Sequence, residues 1–217
     1  SSFKLDTNSR ISLSNNDGNT YNTVLGYNAL TNNGTVLGDV GADYNVAVGH
    51  DSMGSGNTSS ATLNTAVGYL SLRPITTGDE NVAIGASSLS ASTTASYNTS
   101  VGSSSLVTED VGNGTTAIGY ASLNKQNTAS SGNTNNTAVG ANSGYYNVTG
   151  TGNTLIGMNS GIGADGQSHS NNTAVGKDTL LAITTGNENT VMGSRALGTA
   201  TTATFNVAIG GDSMFSV

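Results

Sequence analysis

The sequence has no cysteine, no tryptophan and only one proline among its 217 residues. Without cysteine there can be no disulfides, thiol nucleophiles or cysteine-ligated zinc. No apolar run approaches the roughly 20 residues that a transmembrane helix needs. Six Lys and Arg against 13 Asp and Glu give a net charge of −7, and the basic residues form no cluster that could bind phosphates. We therefore expect neither a membrane-inserted protein nor a nucleic-acid partner.

Charge and aromatic side chains are also scarce, at 9% and 5% of residues. Disordered chains usually carry high net charge and few β-branched residues, whereas Val, Ile and Thr recur here at regular intervals. The 30 glycines do not fall at every third position, which excludes collagen. The composition therefore predicts a folded, β-rich chain.

A five-residue motif, Asn-(Thr/Val)-Ala-(Val/Ile)-Gly, recurs with small variations along the chain. Copies lie at 22–26, 45–49, 64–68, 81–85, 98–102, 115–119, 136–140, 153–157, 172–176, 189–193 and 206–210, with a weaker copy at 34–38. From Gly68 onward the interval between motif glycines is constant, except that those ending at Gly140 and Gly176 are longer. Such a period is typical of repeat architectures. We number each unit from its Asn.

In most units a second element follows the glycine: a small residue and then Leu or Met, which stands at position nine. In two units, Gly144 and Gly161 take the place of that Leu or Met. The pattern lacks a helical period and predicts two short strands per unit, bent at the glycine. We therefore predict an all-β, repetitive β-solenoid (a parallel β-roll) of about twelve short coils over residues 20–217. Residues 1–19 are predicted to cap its first coil.

Alternation along a strand predicts which residues face the core. We expect the large aliphatic residue at position four, the Thr or Val at position two and the Leu at position nine to face inward. Position three would then face outward as a column of small apolar residues. This column predicts self-association of parallel copies, most simply as a cyclic homotrimer, although small residues could merely relieve crowding at a bend. The predicted interface residues are Ala47, Ala66, Ala83, Ala117, Ala138, Ala174 and Ala208.

The recurrent Asn and Gly have structural interpretations. Stacked Asn side chains can hydrogen-bond as a ladder, and Gly permits a bend where a Cβ would not fit. The residues assigned to this framework are Asn64, Gly68, Asn81, Gly85, Asn98, Gly102, Asn136, Gly140, Asn172, Gly176, Asn206 and Gly210.

Residues suited to catalysis are sparse. The two histidines, His50 and His169, fall in different coils and are predicted to be solvated surface residues. The acidic pairs at 79–80 and 109–110 lie in predicted turns and lack the spacing of a calcium loop. We therefore predict no enzymatic activity, no metal site and no cofactor.

The sequence offers more candidates for ligand binding than for catalysis. Tyrosines that recur beside the motif could stack on sugars or fill interface pockets, or simply shield the edge of the solenoid. The irregular segments 54–63, 124–135 and 162–171 are further candidates, because loops on rigid scaffolds carry function. The candidate ligand contacts are Tyr27, Tyr69, Tyr120, Tyr145 and Tyr146.

The repeat resembles the head repeats of trimeric autotransporter adhesins of the YadA type. It is also similar to the Asn-Thr-Ala-Val-Gly-Tyr-x-Ser/Ala-Leu repeats of phage tail fibres, and residues 64–72 match that pattern closely. The resemblance covers residues 20–217 and implies a trimeric β-roll that is left-handed in the adhesins. The longer unit and the trailing Leu favour the phage type. Neither the membrane anchor of the adhesins nor the self-cleaving chaperone domain of many such fibres is expected within these residues.

Three functions follow as hypotheses. The first is an extracellular fibre segment of a virion or similar appendage, displaying loops that attach to a host or environmental glycan or protein. The second is the head of a bacterial trimeric adhesin. The third, an ice- or surface-binding solenoid, is suggested by the Thr columns but disfavoured by their predicted inward orientation.

Overall fold

The structure is a computed structural model that describes residues 11–12, 21–32, 35–36, 41–54, 58, 60–128 and 130–216. It confirms an all-β parallel solenoid, with no helix among the described residues. The strands are β1 (Ile11–Ser12), β2 (Thr23–Leu25), β3 (Thr31–Asn32), β4 (Thr35–Val36), β5 (Val46–Val48), β6 (Thr65–Val67), β7 (Val82–Ile84), β8 (Thr99–Val101), β9 (Thr116–Ile118), β10 (Thr137–Val139), β11 (Thr154–Ile156), β12 (Thr173–Val175), β13 (Thr190–Met192) and β14 (Val207–Ile209).

One sheet runs the length of the stack in the order β1-β2-β5-β6-β7-β8-β9-β10-β11-β12-β13-β14. From β2 onward every pairing in this sheet is parallel and brings equivalent positions of successive units side by side. Ala117 of β9, for example, pairs with Ala138 of β10 although the coil between them is longer than the regular one. Each position of the unit therefore forms a straight column along the stack.

The weaker copy of the motif does not add a strand to this sheet. Its residues Thr35–Val36 form β4, which pairs antiparallel with β3, and β2 pairs directly with β5. At the start of the stack, Ile11–Ser12 pairs antiparallel with β2. The rest of the predicted cap, residues 1–10 and 13–19, lies outside the described residues.

The predicted orientation of the strands is wrong. Position three faces the core, and Ala47, Ala66, Ala83, Ala117, Ala138, Ala174 and Ala208 are all essentially inaccessible. Positions two and four face outward, as the alternating burial of every strand from β5 to β14 shows. These alanines therefore cannot be the interface.

The physical reason is the narrow interior of the coil. The Leu or Met at position nine fills the space behind the strand, and wherever it occurs it is buried as predicted, except in the last coil, where Met214 is exposed. Ile75 and Ile183 complete the core of two regular coils from position twelve. With a Leu approaching from the turn, the inner surface of the strand has room only for a side chain up to the size of Val, such as Val191.

The predicted second strand is also absent, because residues six to nine form a tight turn. Positions seven and nine are left-handed throughout, as at Leu70 (φ 56°) and Leu72 (φ 49°). This conformation costs about 1–2 kcal/mol per non-Gly residue, and hydrogen bonds between coils offset it. The Leu70 N–H donates to the carbonyl of His50 in the preceding coil, and the Leu72 N–H donates to that of Ser88 in the next.

The motif glycine is required for close stacking, as predicted. A Cβ on Gly102 (φ 137°) would lie 2.3 Å from the carbonyl oxygen of Gly119 in the next coil. Gly210 in the last described coil has the same kind of backbone (φ 118°), but a Cβ there would meet nothing within 4 Å. The requirement for glycine is thus strongest where another coil follows.

The predicted asparagine ladder is present inside the coils. The Asn81 N–H and Nδ2 both donate to Oδ1 of Asn64, at 2.9 and 3.0 Å. Nδ2 of Asn81 also donates to the Ala95 carbonyl at 2.8 Å, across its own coil. Each such Asn therefore links two coils and closes its own, which satisfies polar groups that would otherwise be buried without partners.

Candidate functional site

Positions two and four of β2 and β5–β14 form one continuous outward surface, which we call the strand face. Position four is Leu, Val, Ile or Met in every coil, and the exposed fractions of Ile84, Ile118 and Ile156 are 39%, 38% and 39%. Position two is always Thr or Val, and neither position carries a charge. Eleven strands spaced about 4.8 Å apart make this surface about 48 Å long.

Exposed aromatic rings border the strand face at its N-terminal end. On one margin Tyr21 stacks on Tyr44 with ring centroids 5.0 Å apart. On the other margin His50 lies between Tyr27 and Tyr69, with centroids 5.0 and 5.5 Å away. These rings contact one another but stay about half-exposed or more, so they extend the apolar surface beyond the strand face.

The remaining tyrosine candidates are separate from this cluster. Tyr120 is exposed on the same margin, several coils further along. Tyr145 and Tyr146 form an edge-to-face pair with centroids 4.6 Å apart, half-buried on the turn side of the coil. The five tyrosines predicted as ligand contacts therefore do not form one site.

Two coils rearrange the core where the repeat is broken. Gly144 and Gly161 leave position nine without a side chain, and Leu155 fills the space from position three of the strand between them. A Cβ on Gly144 would lie 2.9 Å, and one on Gly161 2.7 Å, from a methyl carbon of Leu155. Leu155, on the strand side of the coil, thus takes the place of the missing leucine at position nine.

His169 completes the same region and is buried, with 2% exposure, so its prediction as a surface residue is wrong. Its Nε2 lies 3.0 Å from the Gly161 carbonyl, and its Nδ1 lies 3.3 Å from both Asn153 Oδ1 and Asn172 Nδ2. Burial lowers the pKa of His169 from 6.5 to about 4, although the hydrogen bond to Gly161 acts in the opposite direction. The imidazole is therefore neutral at pH 7.

A second buried polar cluster replaces a missing member of the asparagine ladder. Thr115 occupies position one, and Gln126 supplies the amide by donating to Thr115 Oγ1 at 2.9 Å and accepting from Asn136 Nδ2 at 2.8 Å. Gln126 also donates to the buried carboxylate of Glu109 at 3.0 Å. Thr128 Oγ1 donates to the same carboxylate at 3.0 Å. These bonds give the cluster a structural role that the sequence patterns did not predict.

A small groove opens beside this cluster, between the long coil at 115–135 and the coil that follows it. Its volume is about 200 Å³, and its lining residues other than Gly132 carry hydroxyl or amide side chains, whose apolar atoms make up more of the exposed surface than their polar atoms. It includes part of the irregular segment 124–135. Its residues lie outside the strand face.

The two histidines lie in separate places. Asp51, whose carboxylate lies 3.3 Å from Nδ1 of His50, is on the outer margin, far from His169 in the core. Across the described ranges, no group of three or more His, Cys, Asp or Glu side chains is placed to hold a metal ion. Asp79 accepts bonds from the Thr62 N–H and hydroxyl and so stabilises a turn.

No protein-family model matches the chain, and no curated protein or solved structure matches it either. Among the described residues there is also no helix with the length and apolar character needed to span a membrane.

Proposed function

We propose that the chain is an extracellular fibre segment that self-associates in parallel through its strand face, as a cyclic trimer, and displays its irregular loops for attachment. The observation that carries this proposal is the uninterrupted, charge-free aliphatic column at position four. Contiguous exposed apolar patches of more than a few hundred Å² typically mark interaction sites. A continuous apolar column about 48 Å long is a far larger patch than the isolated apolar residues found on most protein surfaces.

Parallel association fits the repeat because every coil presents the same surface. A rotation axis parallel to the stack brings the same coil of each copy to the same height. Each aliphatic side chain at position four then meets its own counterpart, and closed cyclic symmetry covers the face without open-ended growth. The Thr and Val column at position two supplies small β-branched side chains beside this seam.

A tail fibre or similar virion appendage is the favoured setting, because the unit carries the trailing Leu of the phage-type repeat. The head of a bacterial trimeric adhesin is the alternative, and it predicts the same scaffold and the same interface. The sequence that flanks these residues distinguishes the two. A membrane-anchor barrel would indicate an adhesin, whereas a chaperone domain or neighbouring virion genes would indicate a fibre.

A pair of adjacent substitutions tests the interface. Val139→Glu places a carboxylate on the strand face and should dissociate the assembly while the far-ultraviolet circular dichroism stays unchanged. Ala138→Glu places it in the core and should unfold the coil, at a cost of at least about 3 kcal/mol. Thr94→Glu, on a turn outside the strand face, is the control that should change neither property. If Val139→Glu leaves the molecular mass of the assembly unchanged, the strand face is not the interface.

Ice binding is the second candidate, because the outward orientation of position two removes the objection to it. Thr99, Thr116, Thr137, Thr154 and Thr173 form an exposed or half-exposed column in register with the aliphatic one. A monomer that inhibits ice recrystallisation, and loses this activity on Thr137→Lys, would favour this function. A trimer without such activity would exclude it.

A further inference from the structure

The groove beside residues 128–134 is a product of unequal coil lengths. The regular coil at 136–152 lies between two longer coils, 115–135 and 153–171. Its turn Thr149–Thr151 forms one side of the groove, and residues of the preceding coil form the other. The following coil supports the turn, since the N–H groups of Thr149 and Thr151 donate to Oγ of Ser168 and Ser170 at 2.9 and 3.0 Å.

The side chains that line the groove can give and accept hydrogen bonds and carry no charge. Thr128 is buried and donates its hydroxyl proton to buried Glu109, so it forms part of the base of the groove. Among the described residues, no hydrogen bond uses the side chains of Ser130, Asn133 or Thr151, and all three are exposed. Three exposed side chains with unused donors and acceptors therefore lie around one groove.

We propose that this groove binds one residue of a neutral saccharide. Its volume of about 200 Å³ is smaller than the roughly 300–1,000 Å³ of pockets for drug-sized ligands, and it suits a single sugar ring. Hydroxyl and amide groups match the alternating donors and acceptors of such a ring. A phosphate or other anion would find no cation among the described residues that line it, and a flat apolar ligand would find no aromatic wall there.

The proposal rests on the proposed function, because a groove of this kind binds weakly alone. Hydrogen bonds exchanged with water contribute only about 0.5–1.5 kcal/mol each. A parallel trimer carries three grooves at one height, and simultaneous engagement of a polysaccharide can raise the apparent affinity by about 10²–10⁴. The groove thus specifies where an attachment fibre would recognise a glycan.

Saturation-transfer NMR on the intact chain, with glucose, galactose, mannose and N-acetylglucosamine at millimolar concentration, tests the site. At least one sugar should receive saturation from the protein. The double variant Asn133→Ala, Thr151→Val should weaken that binding at least about tenfold, because two hydrogen-bonding side chains are removed. The control Thr185→Val, Asn187→Ala changes the same residue types on the turn of a regular coil and should bind like the unmodified chain.

Two outcomes would overturn the inference: no saturation transfer to any of the four sugars, or equal transfer in both double variants. Light scattering on the same samples reports the oligomeric state independently. A trimer that binds no sugar contradicts only the groove, whereas a monomer that binds sugar through Asn133 contradicts only the fibre.

Discussion

Acidification should destabilise this protein through one buried imidazole, His169. The pKa of His169 falls from 6.5 to about 4 on folding, chiefly because burial disfavours the charged ring. Between these values the unfolded chain binds a proton that the folded chain does not. The stabilising effect of the neutral ring is therefore fully present above pH 6.5 and is lost as the pH falls toward 4.

The magnitude follows from the size of the shift. One pKa unit corresponds to about 1.36 kcal/mol, so a change from 6.5 to about 4 amounts to about 3 kcal/mol. Burial, which deprives the charged ring of solvation, is the main cause of the lowered pKa, and the hydrogen bond to the Gly161 carbonyl opposes it.

Guanidinium unfolding followed by circular dichroism, at fixed protein concentration and at pH 7 and pH 4, measures this effect. The variant His169→Gln keeps an amide that can donate to Gly161 but does not titrate, so it reports the contribution of all other groups. The unmodified chain should lose about 3 kcal/mol more than the variant over this interval. Equal losses in the two proteins, or an imidazole that titrates near pH 6.5 in NMR spectra, would refute the reasoning.

Three further predictions concern the core, each measured by chemical unfolding. Leu155→Ala should cost about 3–5 kcal/mol, because Gly144 and Gly161 supply no Cβ to fill the cavity, whereas exposed Leu181→Ala should change stability by about 0.5 kcal/mol; similar losses would contradict the rearranged core. Asn81→Ala should cost about 3 kcal/mol through three lost hydrogen bonds, and a loss below about 1 kcal/mol would show that the ladder contributes little. Gly102→Ala should cost at least about 2 kcal/mol more than Gly210→Ala, because only the former adds a clash between coils.

Much of the fold could be predicted from the sequence because the repeat constrains it at several positions simultaneously. The regular period, the Asn ladder, the Gly bends and the Leu core all follow from residue types that recur in fixed places. The orientation of the strand could not be decided in this way, because alternation allows two arrangements: positions two and four face the core, or position three does. Size favoured Ile84 as the core residue over Ala83, yet Leu89 in the turn of the same coil already fills the interior.

The turn that replaced the predicted second strand did leave a signal. Position seven is Asn or Asp in several units, for example Asn142, Asn159 and Asp178, and these residues tolerate the left-handed conformation. The burial of His169 could be suspected only from the absence of Leu in two coils, which removes core volume that something must fill. The groove arises from the difference between neighbouring coil lengths and requires three-dimensional stacking to be recognised.

The central claim is that the exposed aliphatic face is an interface between parallel copies. Size-exclusion chromatography with multi-angle light scattering, on the unmodified chain over a range of concentrations, tests it most directly. A chain of 21.6 kDa should elute as a single species of three times that mass, with the strand face covered. A monodisperse species of 21.6 kDa at the highest concentration would contradict the account.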